Sequence, residues 1–394
     1  MQITVPAHSS PTPSNTQLGS SRSYTLTLSP QLLYAKSALL PVLVTSRVHE
    51  QLEFQAVGSW WLCKDESFRG PDTSDLEQAG GSNQQWKGIL QKIPSGREDV
   101  FSDNTISTHD KRALMKFLRH VLQENTETED SLTREIGANS LAHVLASHFN
   151  IPSTLQQPLL ALSLSQDTAD STNAQYAINR IKRHLRSIGM FGPGFGSMII
   201  KYGGGAEIAQ VGCRAGAVGG GVYVLGRGID SIEALPVTSA EAQSNGSSGN
   251  DLAIRLSDGE RITSRYVVGD EVDLPTVATE QPPNDSTTSS AQLARSISVV
   301  SSPLPHLFPA TSENGPIPAG AVVVLGGGGL AEKRASDEHG SDHLGEPPVY
   351  LFVHSSDSGE CPTGQCEYIS HVCFQSAAFF MMIQFTNTYL HCLS

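Results

Sequence analysis

The sequence predicts an α+β protein in which a sheet domain is interrupted by an all-helical block. Three observations predict it. Apolar residues recur at helical spacing from about 107 to 190. Strand-like runs flank that block on both sides. Asp258-Gly259, between two alternating runs, marks a β-hairpin in the second sheet part.

Residues 1–22, rich in Ser, Thr and Pro, are expected to form a disordered leader. Tyr24, Leu26 and Leu28 alternate as in a strand, and Leu32, Leu33, Leu39, Leu40 and Leu43 then fit a helix that Pro41 would kink or split. Residues 51–63 read as one or two strands, 64–91 as a polar insertion, and 23–106 together as the first part of the sheet domain.

The helical domain is placed at 107–190. Ser107 with Asp110 resembles a capping box ahead of the stripe Leu114, Phe117, Leu118, Val121, Leu122. A second helix fits Ser131 to Phe149, with Leu141, Val144, Leu145 and His148 on one side, and a third fits Leu155–Leu164. In the fourth, Thr172 and Gln175 read as a capping box, Ile178, Ile181, Leu185 and Ile188 as the stripe, and Gly189 as the residue that ends it. Residues 191–365 return to strands, including "VYVL", the 252–269 hairpin, "SISVVSSPL", "AVVVLGG" and "VYLFVHSS". The segment 366–394 is set apart as an atypical tail; its longest apolar run, Ala377–Ile383, falls far short of the ~20 residues of a spanning helix.

A net charge of −13 argues against nucleic acid as a partner. Six cysteines in 394 residues do not make a disulfide framework, and the start has neither the charged nor the apolar region of a signal peptide. A reducing, intracellular, cytosolic setting is expected. The stretch "YGGGAEIAQVGCRAGAVGGGVYVLG" imitates a dinucleotide fingerprint and fails it. From Gly203 the third glycine position holds Ile208, and the order is helix then strand. Glu207, Gln210 and Arg214, spaced by three and four, share a helix face that reads as a recognition surface or a solvated face. Gly326, Gly328 and Ala331 match G-x-G-x-x-A after a strand, but only a charged loop follows. Cys361-x4-Cys366 with His354, His371 and Cys373 is too irregular for a structural zinc site and reads as incidental thiols. No hydrolase, zincin or P-loop motif occurs, so no catalytic residue, metal or cofactor is expected.

Four stretches, "LSPQLLYAKSALLPVLVTSRVHEQLEFQAVGSWW", "IPSGREDVFSDNTISTHDKRALMKFL", "YGGGAEIAQVGCRAGAVGGGVYVL" and "PPVYLFVHSSDSGECPTGQ", resemble the Rab escort protein / Rab GDP-dissociation inhibitor family, most of all its escort branch in a fungal style. The resemblance implies a sheet domain like that of flavin-dependent monooxygenases with an inserted helical domain. It implies a non-catalytic accessory component that binds Rab GTPases in the GDP form, presents them to Rab geranylgeranyltransferase, and carries the lipidated product to membranes through transient contact. On this resemblance Glu207, Gln210 and Arg214 fall at the Rab-contacting acid, amide and base, and Val222 and Val224 at further Rab contacts. The helical domain would hold the geranylgeranyl chain and face the transferase; Arg183, Arg186 and Phe191, basic and aromatic, read either as contact residues for it or as a solvated basic face on a plain helical core. The family begins with a strand, a Gly-rich turn and a helix; this chain departs from it there and again after Gln365, and is expected to be truncated at both ends. The alternatives are an FAD-dependent oxidoreductase of the same fold class and a non-functional truncated gene product.

Overall fold

A computed structural model describes residues 19–65, 88–94, 100–101, 106–123, 136–235, 251–269, 274–275, 292–313, 315–325 and 347–374. Of the polar insertion expected at 64–91, residues 66–87 lie outside them and the two ends form strand instead; the Gly326–Ala331 stretch and the apolar tail beyond 374 also lie outside. The chain divides into two units, 1–212 with 291–394, and 213–290.

The first unit is organised on a mixed sheet of β1 (Leu33–Tyr34), β2 (Phe54–Asp65), β3 (Gly88–Lys92), β4 (Ser197–Ile200), β8 (Gln292–Val300), β9 (Gly320–Leu325), β10 (Val349–Ser355) and β11 (Cys366–Phe374). The order is β1-β4-β2-β9-β10-β11-β8, with β3 also on β2. β2 is one bent strand, not two: its register against β9 shifts between Val57 and Trp60, where a bulge bends the chain. β2 and β9 are parallel and every other pair is antiparallel. All six residues of β9 are buried, which explains why "AVVVL" is continuously apolar instead of alternating. β11 pairs along its length with β8 and, from Cys366 to His371, with β10, so the expected boundary at 365 falls at the start of an interior strand.

The second unit holds β5 (Ile229–Ala234), β6 (Leu252–Leu256) and β7 (Arg261–Ser264), in that order in their sheet. The hairpin expected at Asp258-Gly259 joins β6 to β7, with Gly259 at φ +87° and Asp258 Oδ1 accepting from Glu260 N.

Between β3 and β4 run α2 (Thr108–Leu122), α3 (Leu141–Ser147), α4 (Ser153–Ser163) and α5 (Ala174–Ser187); α1 (Leu39–Thr45) precedes β2. Pro41 neither kinks nor splits α1, because it sits in the first turn where the missing N–H has no partner to lose. Ser107 caps α2 as expected, its Oγ accepting from Asp110 N at 3.1 Å. The expected 131–149 helix is instead interrupted before α3, which starts afresh from Ser140 as N-cap. The cap of α5 is Asn173, one residue later than Thr172. The Asn173 amide accepts from Tyr176 N, while the Thr172 hydroxyl is drawn inward to Ser165 and the carbonyl of Thr168.

The helices share a core with one face of the sheet. Phe117, Leu141, Leu145, Leu160 and Ile181 pack in one cluster with Trp60, Leu62, Val322, Val324 and Tyr350. Tyr350 Oη donates to Ser165 O at 2.9 Å inside that seam. His184 is buried edge-on against Trp60 and Tyr34, and burial pulls its imidazole down to about 4, so it packs as a neutral ring. Basic side chains then lock helix ends to one another. Lys116 Nζ donates to His148 O after α3, Arg180 Nη1 to Ser163 O ending α4, Lys182 Nζ to Gln123 O and Arg186 Nη2 to Leu122 O at the end of α2. Each places a cation on the negative pole of a helix and satisfies a carbonyl that the helix leaves open.

The residues 24–28 do not pair as a strand, and the expected alternation is inverted. Thr27 is buried while Leu26 and Leu28 are exposed. The reason is a pair of buried carboxyls, Glu360 and Glu367. Thr27 Oγ1 donates to Glu360, and Thr27 N to Glu367 Oε1 at 3.3 Å. His354 Nδ1 lies 2.5 Å from Glu360 Oε2, and Ser358 Oγ donates to the same oxygen. Burial pushes the Glu360 carboxyl upward, but the His354 bond and charge with the two hydroxyls outweigh it and hold the group below the usual range. Glu367 has no such help. Burial, then the neighbouring Glu360 charge, drive it up to about 8 against a weak opposing bond from Thr27. Its Oε2 has no partner among the described residues.

A folded-state pKa raised from 4.5 to about 8 means that Glu367 weakens the fold progressively as pH climbs between those values. Glu367→Gln removes that titration and keeps the shape. The stability of the variant relative to wild type is expected to rise from pH 5 to pH 8, reaching several degrees of Tm in parallel thermal melts.

Candidate functional site

Two features outside the sheet core offer themselves to partners. The first is α6 (Gly205–Val218), which follows a turn at Tyr202–Gly204 whose residues all have positive φ. The division between the two units falls within this helix, after Gly212. In the first unit, Glu207 lies in the opening turn, where its carboxylate suits the positive helix pole. Gln210 Nε2 donates to Glu207 Oε1 at 3.0 Å, and only Val211 of the helix is buried. In the second unit, Arg214 is exposed one turn further along.

The helix ends by a device legible in its glycines. Gly220, at φ +90°, donates to Ala217 O, and Gly221 donates to Gly216 O at 2.8 Å, the paired bonds of a Schellman cap. Tyr223 folds back over Gly216, where any Cβ would overlap its hydroxyl. The residues that follow correct the sequence expectation. "VYVL" forms no strand among the described residues; Val222, Val224 and Leu225 stand exposed at 86%, 52% and 91%. Strand propensity alone does not make a strand without an edge to pair with.

The second feature, in the first unit, is a cavity of about 640 Å³ between β3 and the helices α2, α4 and α5. Leu62, Ile93, Leu114, Leu159 and Leu162 form a buried apolar floor. Its volume lies in the range of small-molecule sites. Beside it, α5 runs into a turn that projects Met190 and Phe191 to solvent, 49% and 57% exposed. Gly189, Gly192 and Gly194 all take positive φ there. Arg183 is exposed on α5, whereas Arg186 is half-buried and engaged with the end of α2.

Among the described residues no group of His, Cys, Asp and Glu is placed to hold a metal ion. Cys361 and Cys366 are free, buried thiols, each pushed up to about 12, chiefly by burial, and His354 is committed to Glu360. No described helix is long and apolar enough to cross a membrane.

The model of the GDP dissociation inhibitor family matches residues 7–321. The chain belongs to that family. Among curated relatives it is 29% identical to a Rab proteins geranylgeranyltransferase component A of Saccharomyces cerevisiae, over 58% of this chain and 33% of that protein. It is 25% identical to Rab escort protein 1 of Arabidopsis thaliana, over 61% of this chain and 40% of that one. The chain thus spans well under half the length of these relatives. The Rab GDI of Plasmodium falciparum has the same fold at a TM-score of 0.58 and 17% identity, over 94% of this chain and 72% of that one. An oxidoreductase of Methanosarcina mazei follows at 0.50 and 12%, over 92% and 70%. The α+β architecture expected from the sequence, and its likeness to an oxidoreductase fold, both hold. That second likeness is one of fold alone.

Sequence reasoning named Glu207, Gln210 and Arg214 from periodicity, and the helix is there. It expected a lipid-holding helical domain but did not name the cavity's lining, which comes from β2, β3 and three helices far apart in sequence.

The Gly194 turn is a stringent test of the geometry beside the cavity. A Cβ there would overlap Thr311 O, at a φ of +83° that favours glycine. Gly194→Ala is expected to lower stability by about 2 kcal/mol or more, read as a fall in the urea midpoint.

Proposed function

We propose that this protein works as a Rab escort protein. It binds Rab GTPases in the GDP form, presents them to Rab geranylgeranyltransferase, and accompanies the lipidated product to membranes. The observation that carries the reading is the family match across residues 7–321 in a chain whose curated relatives are named as component A of that transferase or as escort proteins. It acts as an accessory component in the cytosol and performs no chemistry of its own.

Rab recognition is assigned to Glu207, Gln210 and Arg214, with Val222 and Val224 beyond the helix end. Exposed apolar residues, an acid, an amide and a guanidinium are the residue types from which hot spots are built. The apolar cavity receives the geranylgeranyl chain: a C20 hydrocarbon matches an apolar floor and gains nothing from polar partners. Arg183, Arg186 and Phe191 are assigned to the transferase contact. The exposed Phe191 and Arg183 supply an aromatic and a cationic anchor, and Arg186 acts by fixing α5 to α2.

Immobilised chain is expected to retain GDP-loaded Rab in preference to GTP-loaded Rab. Arg214→Ala should weaken that binding about tenfold or more, the scale of a buried interface anchor, in a variant that still melts cooperatively. A folded wild-type chain that retains neither form would overturn the proposal.

A further inference from the structure

The cavity has a rim of a different chemistry from its floor. Lys92, at the end of β3, and Arg119, in the last turn of α2, both line it, and both are exposed to solvent. Two further cations converge on the same edge. Gln123 and Leu122 line the cavity, and their carbonyls accept from Lys182 and Arg186. Among the described residues no carboxylate lines the cavity. Among the described residues of β3, α2, α4 and α5 the only acidic side chain is Asp110, in the first turn of α2. It lies nine residues before Arg119, about 13 Å along the helix, beyond roughly one screening length at moderate salt. Among the described residues this edge thus carries an excess of positive charge, in a chain whose net charge is −13.

Such a rim is not needed for a hydrocarbon chain attached to a neutral thioether. An apolar floor under a cationic lip instead matches a molecule with one apolar chain and a charged end. We infer that the cavity binds a single-chain lipid bearing an anionic head, with Lys92 and Arg119 meeting the head and the floor around Leu159 taking the chain. The ligand class includes isoprenoid diphosphates and fatty-acid carboxylates. The inference rests on the cavity being the lipid site proposed above. It adds that a free anionic lipid competes there with a neutral prenyl chain.

The test is equilibrium dialysis of the full chain against three radiolabelled ligands below their micellar concentrations: geranylgeranyl diphosphate, oleate and the neutral alcohol geranylgeraniol. The diphosphate is expected to bind at least tenfold tighter than the alcohol, and the margin should shrink as salt is raised from 50 to 500 mM. Lys92→Gln with Arg119→Gln should abolish the margin and leave alcohol binding unchanged. Leu159→Trp, which fills the floor, should weaken all ligands. Oleate that shares the margin identifies a general anionic-head site, and oleate that binds no better than the alcohol narrows it to the diphosphate. Equal wild-type affinities for diphosphate and alcohol overturn the inference while leaving the isoprenoid cavity standing. Binding of none of the three overturns both. Diphosphate binding that survives Leu159→Trp while alcohol binding falls places the anion elsewhere and also overturns the inference.

Discussion

Everything else in the first unit hangs on the packing of α2 to α5 against one face of β2, β9 and β10. β9 is buried on both faces: Val322 and Val324 turn to the helices, while Ala321, Val323 and Leu325 turn to a second cluster with Leu304, Leu307 and Leu351. A strand in that position cannot carry a polar residue on either side without leaving it unsolvated. The helices in turn cannot drift, because the hydroxyl of Tyr350 reaches out of the sheet to the carbonyl of Ser165 beyond α4.

That seam also creates the cavity. Helices that met the sheet along their whole length would close it. Instead, their ends are pinned to each other by Lys116, Arg180, Lys182 and Arg186 through carbonyls, so the block is held at its edges while space remains between β3, α2 and α4. The same cations that cap helices leave a positive edge beside an apolar interior. The cations that cap these helices are distinct from Lys92 and Arg119, which line the cavity itself.

The buried Glu360 and Glu367 pair solves a different problem. It ties the 24–28 segment, near the start of the described chain, to β10 and β11 near its end. The bond from Thr27 N to Glu367 spans 340 positions of sequence. Glu360 is satisfied by three side chains, Glu367 by one backbone N–H. Such asymmetry splits the two carboxyls into one held ionised and one held protonated.

The sequence by itself determined what depends on neighbours within a few residues. The α2 helix and its Ser107 cap, the α4 helix, the stripe of α5, the hairpin at Asp258-Gly259, the apolar runs of β8 to β10, and the helix that carries Glu207, Gln210 and Arg214 were legible because helix period, caps and turns are local. The family was legible in the same way, from contiguous motifs. Only the tertiary structure decided that Thr27 is buried and Leu26 and Leu28 exposed, that "VYVL" lacks a strand partner among the described residues, that Cys366–Phe374 is an interior strand, and that an apolar cavity opens under Lys92 and Arg119. Each of these depends on which distant segments meet. A strand exists only with a partner edge, a carboxyl dictates burial only to what covers it, and a cavity is the space that several elements jointly fail to fill.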